Sequence, residues 1–116
     1  MKRLLSILLF IPILGFSQYT AIPDQNFEQA LINLGHDDII DGQVLTANIS
    51  SLDSLDISGS YDSVGIITSL VGIESFSSLS YLDFEYNQIS QINLSQNLFL
   101  TYTNHIFLVV NRIFLV

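Results

Sequence analysis

The 116-residue chain has no cysteine, only three basic residues, and no apolar run long enough to span a bilayer comfortably. Without cysteine, thiolate metal sites, cysteine nucleophiles and thiol redox chemistry are excluded. Small exported domains commonly strengthen a thin core with disulfides, so this chain must bury apolar surface by stacking instead. The three basic residues face eleven acidic ones. Such a surface repels phosphate backbones and anionic membranes, which argues against nucleic acid and strong membrane association. A positively charged partner, a neutral glycan or a divalent cation remains compatible.

Nearly half the residues are apolar, 49%, and the excess sits at the two ends. Lys2 and Arg3 precede an apolar stretch from Leu4 to Leu14, and Gly15-Phe16-Ser17 places small residues at the −3 and −1 positions of a cleavage site. This is the pattern of a secretory signal peptide over residues 1–17, cleaved after about Ser17. The stretch falls short of the roughly 17–25 residues of a spanning helix. The chain is therefore expected to be secreted or displayed at the cell surface. Processing would leave Arg112 alone against eleven acids, a formal charge of −10.

Residues 18–48 read as a cap. Residues 22–35 give one helix, its body at about 23–34, with Pro23 in the first turn and Asp24 at the positive end. Phe27, Ala30, Leu31 and Leu34 form one apolar stripe, and Gly35 supplies a left-handed stop. Asp37, Asp38 and Asp41 read as a solvated acidic loop. A calcium loop starting at Asp37 needs an oxygen ligand at its third position and Glu at its twelfth, where Ile39 and Asn48 stand. No metal or other cofactor is expected. Val44 to Ile49 suits a strand or an irregular segment.

From Ile49 the pattern changes. Ile49, Leu52, Leu55 and Ile57 are spaced by 3, 3 and 2, and Leu70, Ile73, Phe76, Leu79, Leu82 and Phe84 by 3, 3, 3, 3 and 2. Strict threes suit tight turns or short 3₁₀ pieces, and the closing two suits a brief strand. Leu79-x-x-Leu82-x-Phe84-x-x-Asn87-x-Ile89 is a leucine-rich-repeat pattern, with Leu79, Leu82, Phe84, Asn87 and Ile89 as its structural core. A buried Asn87 amide can donate to and accept from backbone groups where the chain turns inward. The fold class expected is α/β: a short leucine-rich-repeat solenoid with an N-terminal capping helix. Residues 49–102 supply about two and a half coils, with Ser60 at the Asn position of the first and a modest insertion near 59–66.

Ile22-Pro23-Asp24-Gln25-Asn26-Phe27-Glu28, Asp41-Gly42-Gln43-Val44 and Leu52 to Ile57 together resemble the N-terminal cap of exported leucine-rich-repeat proteins of Bacteroidetes. Gly72-Ile73-Glu74 and Leu82 to Asn87 are similar to their first repeats and to those of internalin-like proteins. The resemblance covers roughly residues 19–102 and implies a surface or secreted protein acting by protein or glycan contact and adhesion.

The 21-residue step from Leu79-Ser80-Tyr81 to Leu100-Thr101-Tyr102 fails at Thr103, His105 and Leu108, where Leu, an apolar residue and Asn are due. Residues 103–116 form an apolar tail open to three readings. It is a frameshift or early stop in a longer gene, a terminal strand over an open end, or a weak membrane anchor.

No spacing assembles a serine, a base and an orienting group, so no catalytic residue is assigned. Asp53 and Asp56 read as surface acids. Asn48-Ile49-Ser50 and Asn93-Leu94-Ser95 match the glycosylation pattern by chance. The candidate binding face is the concave one: Tyr81, Asp83 and Glu85, with Ser54, Asp56 and Ser58 one coil earlier. The expected function is a binding or adhesion module, in truncated form, for an unknown protein or glycan. The alternatives are a non-catalytic N-terminal fragment of a larger exported hydrolase and a non-functional truncated product.

Overall fold

The computed structural model describes residues 18–59 and 66–104, with side chains to Thr101. The signal region, residues 60–65 of the insertion, and the tail from His105 lie outside the described residues.

The cap opens with β1 (Tyr19–Ala21), which pairs antiparallel with β2 (Gln43–Leu45), Thr20 opposite Val44. Between them runs α1 (Gln25–Asn33). Asp24 is its N-cap: Oδ1 accepts from the backbone N–H of Asn26 at 2.9 Å and of Phe27 at 3.1 Å. Pro23 thus lies just outside the helix rather than in its first turn. At the other end Gly35 has φ +88°, and the N–H groups of Gly35 and His36 donate to the carbonyls of Ile32 and Leu31. This paired arrangement satisfies two terminal carbonyls, and a left-handed glycine permits it without strain. Phe27 and Leu31 are buried, but Leu34, on the apolar stripe of the sequence, is 46% exposed. It sits at the C-cap, where the helix has already turned away from the core.

Three-residue steps follow. The N–H groups of Ile49 and Leu52 donate to the carbonyls of Thr46 and Ile49, and those of Ile73, Phe76 and Leu79 to Leu70, Ile73 and Phe76. Asn97 and Leu100 repeat the step onto Leu94 and Asn97. Each apolar residue thus closes a turn on the one three before it, which turns successive anchors inward. Thr46–Asn48 and Ile73–Ser75 are 3₁₀ helices within these runs.

Every such run ends in a short strand: β3 (Ser54–Asp56), β4 (Tyr81–Asp83) and β5 (Tyr102–Asn104). They form one parallel sheet in the order β3-β4-β5. Leu55 pairs with Leu82, and Leu82 with Thr103. Backbone pairing therefore runs through Thr103 and Asn104, past the point where the side-chain pattern fails. Hydroxyls extend the stacking, Ser80 Oγ donating to the Asp53 carbonyl and Thr101 Oγ1 to the Ser80 carbonyl.

One apolar core runs from the cap into these stacked passes. It includes Ile22, Phe27, Leu31 and Val44 from the cap and Leu55, Leu70, Ile73, Phe76, Leu79, Leu82, Phe84 and Ile89 beyond it. The rings of Phe27 and Phe76 stack with centroids 6.1 Å apart. Gly72, with φ +109°, lets the chain pass against the cap; a Cβ there would meet Ile22 Cδ1 and lie 2.6 Å from the Ala21 carbonyl. No helix among the described residues is long and apolar enough to cross a membrane.

Candidate functional site

The outward face of the parallel sheet is built by alternation. Leu55, Leu82 and Phe84 point into the core, each at most 1% exposed. The residues between them point out: Ser54, Asp56 and Ser58 are exposed, and Tyr81, Asp83 and Glu85 are half-buried. The register sets Ser54 beside Tyr81 and Asp56 beside Asp83. Ser58 and Glu85 lie beyond the strand ends, where Gly59 N–H donates to the Glu85 carbonyl at 2.8 Å. The structure thus brings all six residues into two adjoining rows.

Each aspartate also shapes its own turn. Asp56 Oδ1 accepts from Ser58 N–H at 3.0 Å and from Ser58 Oγ at 2.6 Å, and Asp83 Oδ1 accepts from Glu85 N–H at 3.1 Å. The Tyr81 hydroxyl reaches Asp83 Oδ2 at 3.5 Å. Like charges directly opposite on neighbouring strands destabilise a sheet, and no lysine or arginine lies among the described residues. The face therefore sets two acids side by side, Asp56 and Asp83.

Below the sheet, Asn87 is 2% exposed. Its Oδ1 accepts from Ile67 N–H at 3.0 Å; its Nδ2 donates to the Ile57 carbonyl at 2.8 Å and to those of Phe84 and Glu85 at 3.3 Å. One amide thus joins two successive passes. Asn97, 4% exposed, donates to the carbonyls of Ile73 and Phe76. Gly59 permits the close stacking, since a Cβ there would stand 2.5 Å from the Tyr86 carbonyl oxygen.

The cap carries the perturbed carboxyls. Asp24 Oδ2 accepts from Thr68 N–H at 2.9 Å, Thr68 Oγ1 at 3.1 Å and Ser69 N–H at 3.0 Å. A single side chain therefore caps α1 and fastens it to the first long run of turns. Partial burial works against its charged form, but these donors outweigh it and hold the Asp24 pKa below the usual carboxylate value.

Glu28 is fully buried, which the sequence alone does not reveal, since an unpaired acid is rarely buried. Its two oxygens accept from the N–H groups of Asp41 and Gly42 at 3.1 and 2.9 Å. Burial raises its pKa, the Asp41 and Gly42 N–H groups oppose that rise, and the neighbouring carboxyls of Asp37 and Asp41 add to it. Oxygens of Glu28, Asp37 and Asp41 lie within 4.8 Å of one another, and Asp37 Oδ2 is buried without a hydrogen-bond partner. Of the loop acids read as solvated, Asp38 and Asp41 are exposed and Asp37 is half-buried, while Asp37 and Asp41 lie close to Glu28. Glu28, Asp37 and Asp41 are the described residues that could offer ligand oxygens to one cation.

Clefts among the described residues include two away from the sheet face. One of about 380 Å³ is lined by Thr68, Val71, Ser90 and Gln91 among others, and one of about 410 Å³ by Tyr19, His36, Asp37 and Ile39 among others. Neither includes a residue of the outward sheet face, which is open and suits a broad contact more than an enclosed small molecule.

The chain matches no protein-family model and no curated protein. Among solved structures it is similar to the functional domain of InlJ from Listeria monocytogenes, an internalin leucine-rich-repeat protein described as including a cysteine ladder. The two are 28% identical with a TM-score of 0.58, over 74% of this chain and 19% of that one. The fold is leucine-rich-repeat-like. In this leucine-rich-repeat-like chain there is no cysteine. The polar groups that join its passes include the Asn87 and Asn97 amides and the hydroxyls of Ser77, Ser80 and Thr101. The chain spans about a fifth of the InlJ domain that it matches.

Proposed function

We propose that the chain is a non-enzymatic binding module of an exported leucine-rich-repeat protein, a short solenoid closed at its N-terminus by α1 and the β1-β2 pair. Its outward sheet face, Ser54, Asp56, Ser58, Tyr81, Asp83 and Glu85, contacts a protein or glycan at the cell surface or outside the cell. The observation that carries this reading is the register of that face. Two rows of polar and aromatic side chains stand on adjoining parallel strands, with Asp56 beside Asp83 and Ser54 beside Tyr81. The likeness to InlJ supports a surface protein that works by contact.

The test is binding to immobilised panels of defined glycans and cell-surface proteins. Tyr81→Ala combined with Asp83→Ala is expected to weaken binding at least about tenfold, the loss typical of a central contact, while Ser90→Ala leaves it unchanged. Equal loss in both variants sinks the assignment of the face. Export is checked by sequencing the N-terminus of the secreted chain, which is expected to begin at Gln18.

A further inference from the structure

The cleft of about 410 Å³ in the cap has two walls of different origin. One is the β1-β2 pair. Alternation buries Thr20 and Val44, so their neighbours Tyr19 and Leu45, which are register partners, face away from the core and into the cleft. The other is the loop after α1, which contributes Asp37, Asp38, Ile39 and Asp41. Asn48 Nδ2 joins the walls by donating to the His36 carbonyl at 3.2 Å. The loop is pinned at both ends, by the His36 N–H on the Leu31 carbonyl and by the Asp41 and Gly42 N–H groups on Glu28. A cleft held in this way is formed before a ligand arrives, which lowers the ordering cost of binding.

Its lining is both apolar and acidic. Tyr19 and Ile39 are 53% and 59% exposed, so each offers apolar surface to an entering group. Asp38 and Asp41 present exposed carboxyls, and Asp37 Oδ2 lies buried without a hydrogen-bond partner. His36 is the one lining side chain able to become positive, and no lysine or arginine lies among the described residues. Acids gathered in a cleft with low-dielectric walls focus their field and draw in cations.

The kind of cation follows from the rest of the lining. A bare dication would be held by carboxyls alone and would leave Tyr19 and Ile39 uncovered, and both Glu28 oxygens already accept N–H groups. A guanidinium on an aliphatic stem matches every part. Its plane stacks on a phenol ring, its N–H fork pairs with a carboxylate, and its stem covers apolar surface. We propose that this cleft binds an arginine side chain of a partner protein. The guanidinium lies between Tyr19 and the carboxyls of Asp38 and Asp41, and an apolar neighbour of that arginine covers Ile39. The site is separate from the outward sheet face, and neither assignment rests on the other.

Fluorescence anisotropy of the full chain with a labelled pentapeptide, Gly-Leu-Arg-Leu-Gly, tests it. The peptide is expected to bind, its lysine counterpart more weakly and its glutamate counterpart not at all. Tyr19→Ala is expected to weaken binding about two- to fivefold, and Tyr19→Ala with Asp38→Asn at least about tenfold. Asp53→Asn, at an exposed acid outside the cleft, leaves it unchanged. Unchanged urea midpoints verify that the variants fold. Amide shifts of the unmodified chain give a second reading, with changes expected at Tyr19, Asp38, Ile39 and Asp41. A lysine or glutamate peptide that binds as tightly overturns the proposal. So does binding lost through Asp83→Ala and kept in the cleft variants, which places the peptide on the sheet face. Calcium chloride that shifts the cleft amides while the arginine peptide shifts none makes the cleft a metal site and overturns it as well.

Discussion

Two buried polar side chains do different work. Asn87 satisfies backbone groups on two passes and leaves none of its own amide atoms unpartnered. Replacing it with alanine leaves the Ile67 N–H and the Ile57 carbonyl buried without a partner. Asn87→Ala is expected to cost about 2–4 kcal/mol, read as a lower urea midpoint at unchanged slope. Glu28 and Asp24 set opposite pH dependences. The Glu28 pKa is raised, so its contribution is complete below its ordinary value of 4.5 and is lost as pH rises through the higher folded value. The Asp24 pKa is lowered, so its contribution is present above 3.8 and is lost as pH falls through the lower folded value. Acidification from neutral is therefore expected to raise the urea midpoint first and lower it once Asp24 protonates. Glu28→Gln removes the initial rise and leaves the acid-side fall in place. A midpoint that falls monotonically in the unmodified chain contradicts this account of Glu28.

The elements show why some of this was legible in the sequence. Runs of strict threes are legible because each anchor closes a turn on the one before it, and that local hydrogen bond fixes the spacing. Gly35 and Asp24 are legible for the same reason: a left-handed stop and an N-cap act within a few residues. The antiparallel β1-β2 pair was not legible. Tyr19–Ala21 is three residues long and finds its partner more than twenty residues away, so tertiary context selects it. The same limit hides β5, which pairs through backbone groups although Thr103 breaks the side-chain rhythm. It also hides the burial of Glu28, which depends on donors supplied by a loop thirteen and fourteen residues away. On the candidate face the alternation of Tyr81, Asp83 and Glu85 was readable. The alignment of Asp56 with Asp83 needed the register between strands. Between elements, the Phe27–Phe76 stack joins helix to repeat. Either ring replaced by alanine is expected to cost about 3–5 kcal/mol. The double variant should lose less than the sum, because the two share one contact. Strict additivity would show that cap and repeats are energetically separate.

At the scale of the molecule, polar work is divided along the chain. The cap holds Asp24 and the buried Glu28 group, β3 and β4 carry the acidic and aromatic face, and the last described pass is uncharged and apolar at its turn. The passes are stacked by amides, hydroxyls and one continuous apolar core, which is how a cysteine-free chain of this size holds a leucine-rich-repeat-like fold. The central claim is that this fold exists to present the face of β3 and β4. The most direct measurement places a photoreactive side chain at Ser54, beside Tyr81 on that face, and separately at Ser90, in the cleft lined by Val71. Both forms of the protein are irradiated in the presence of intact cells, and the cross-linked products are compared by mass spectrometry. The account predicts one defined partner captured from Ser54 and not from Ser90. Capture from Ser90 alone, or the same products from both positions, would contradict it.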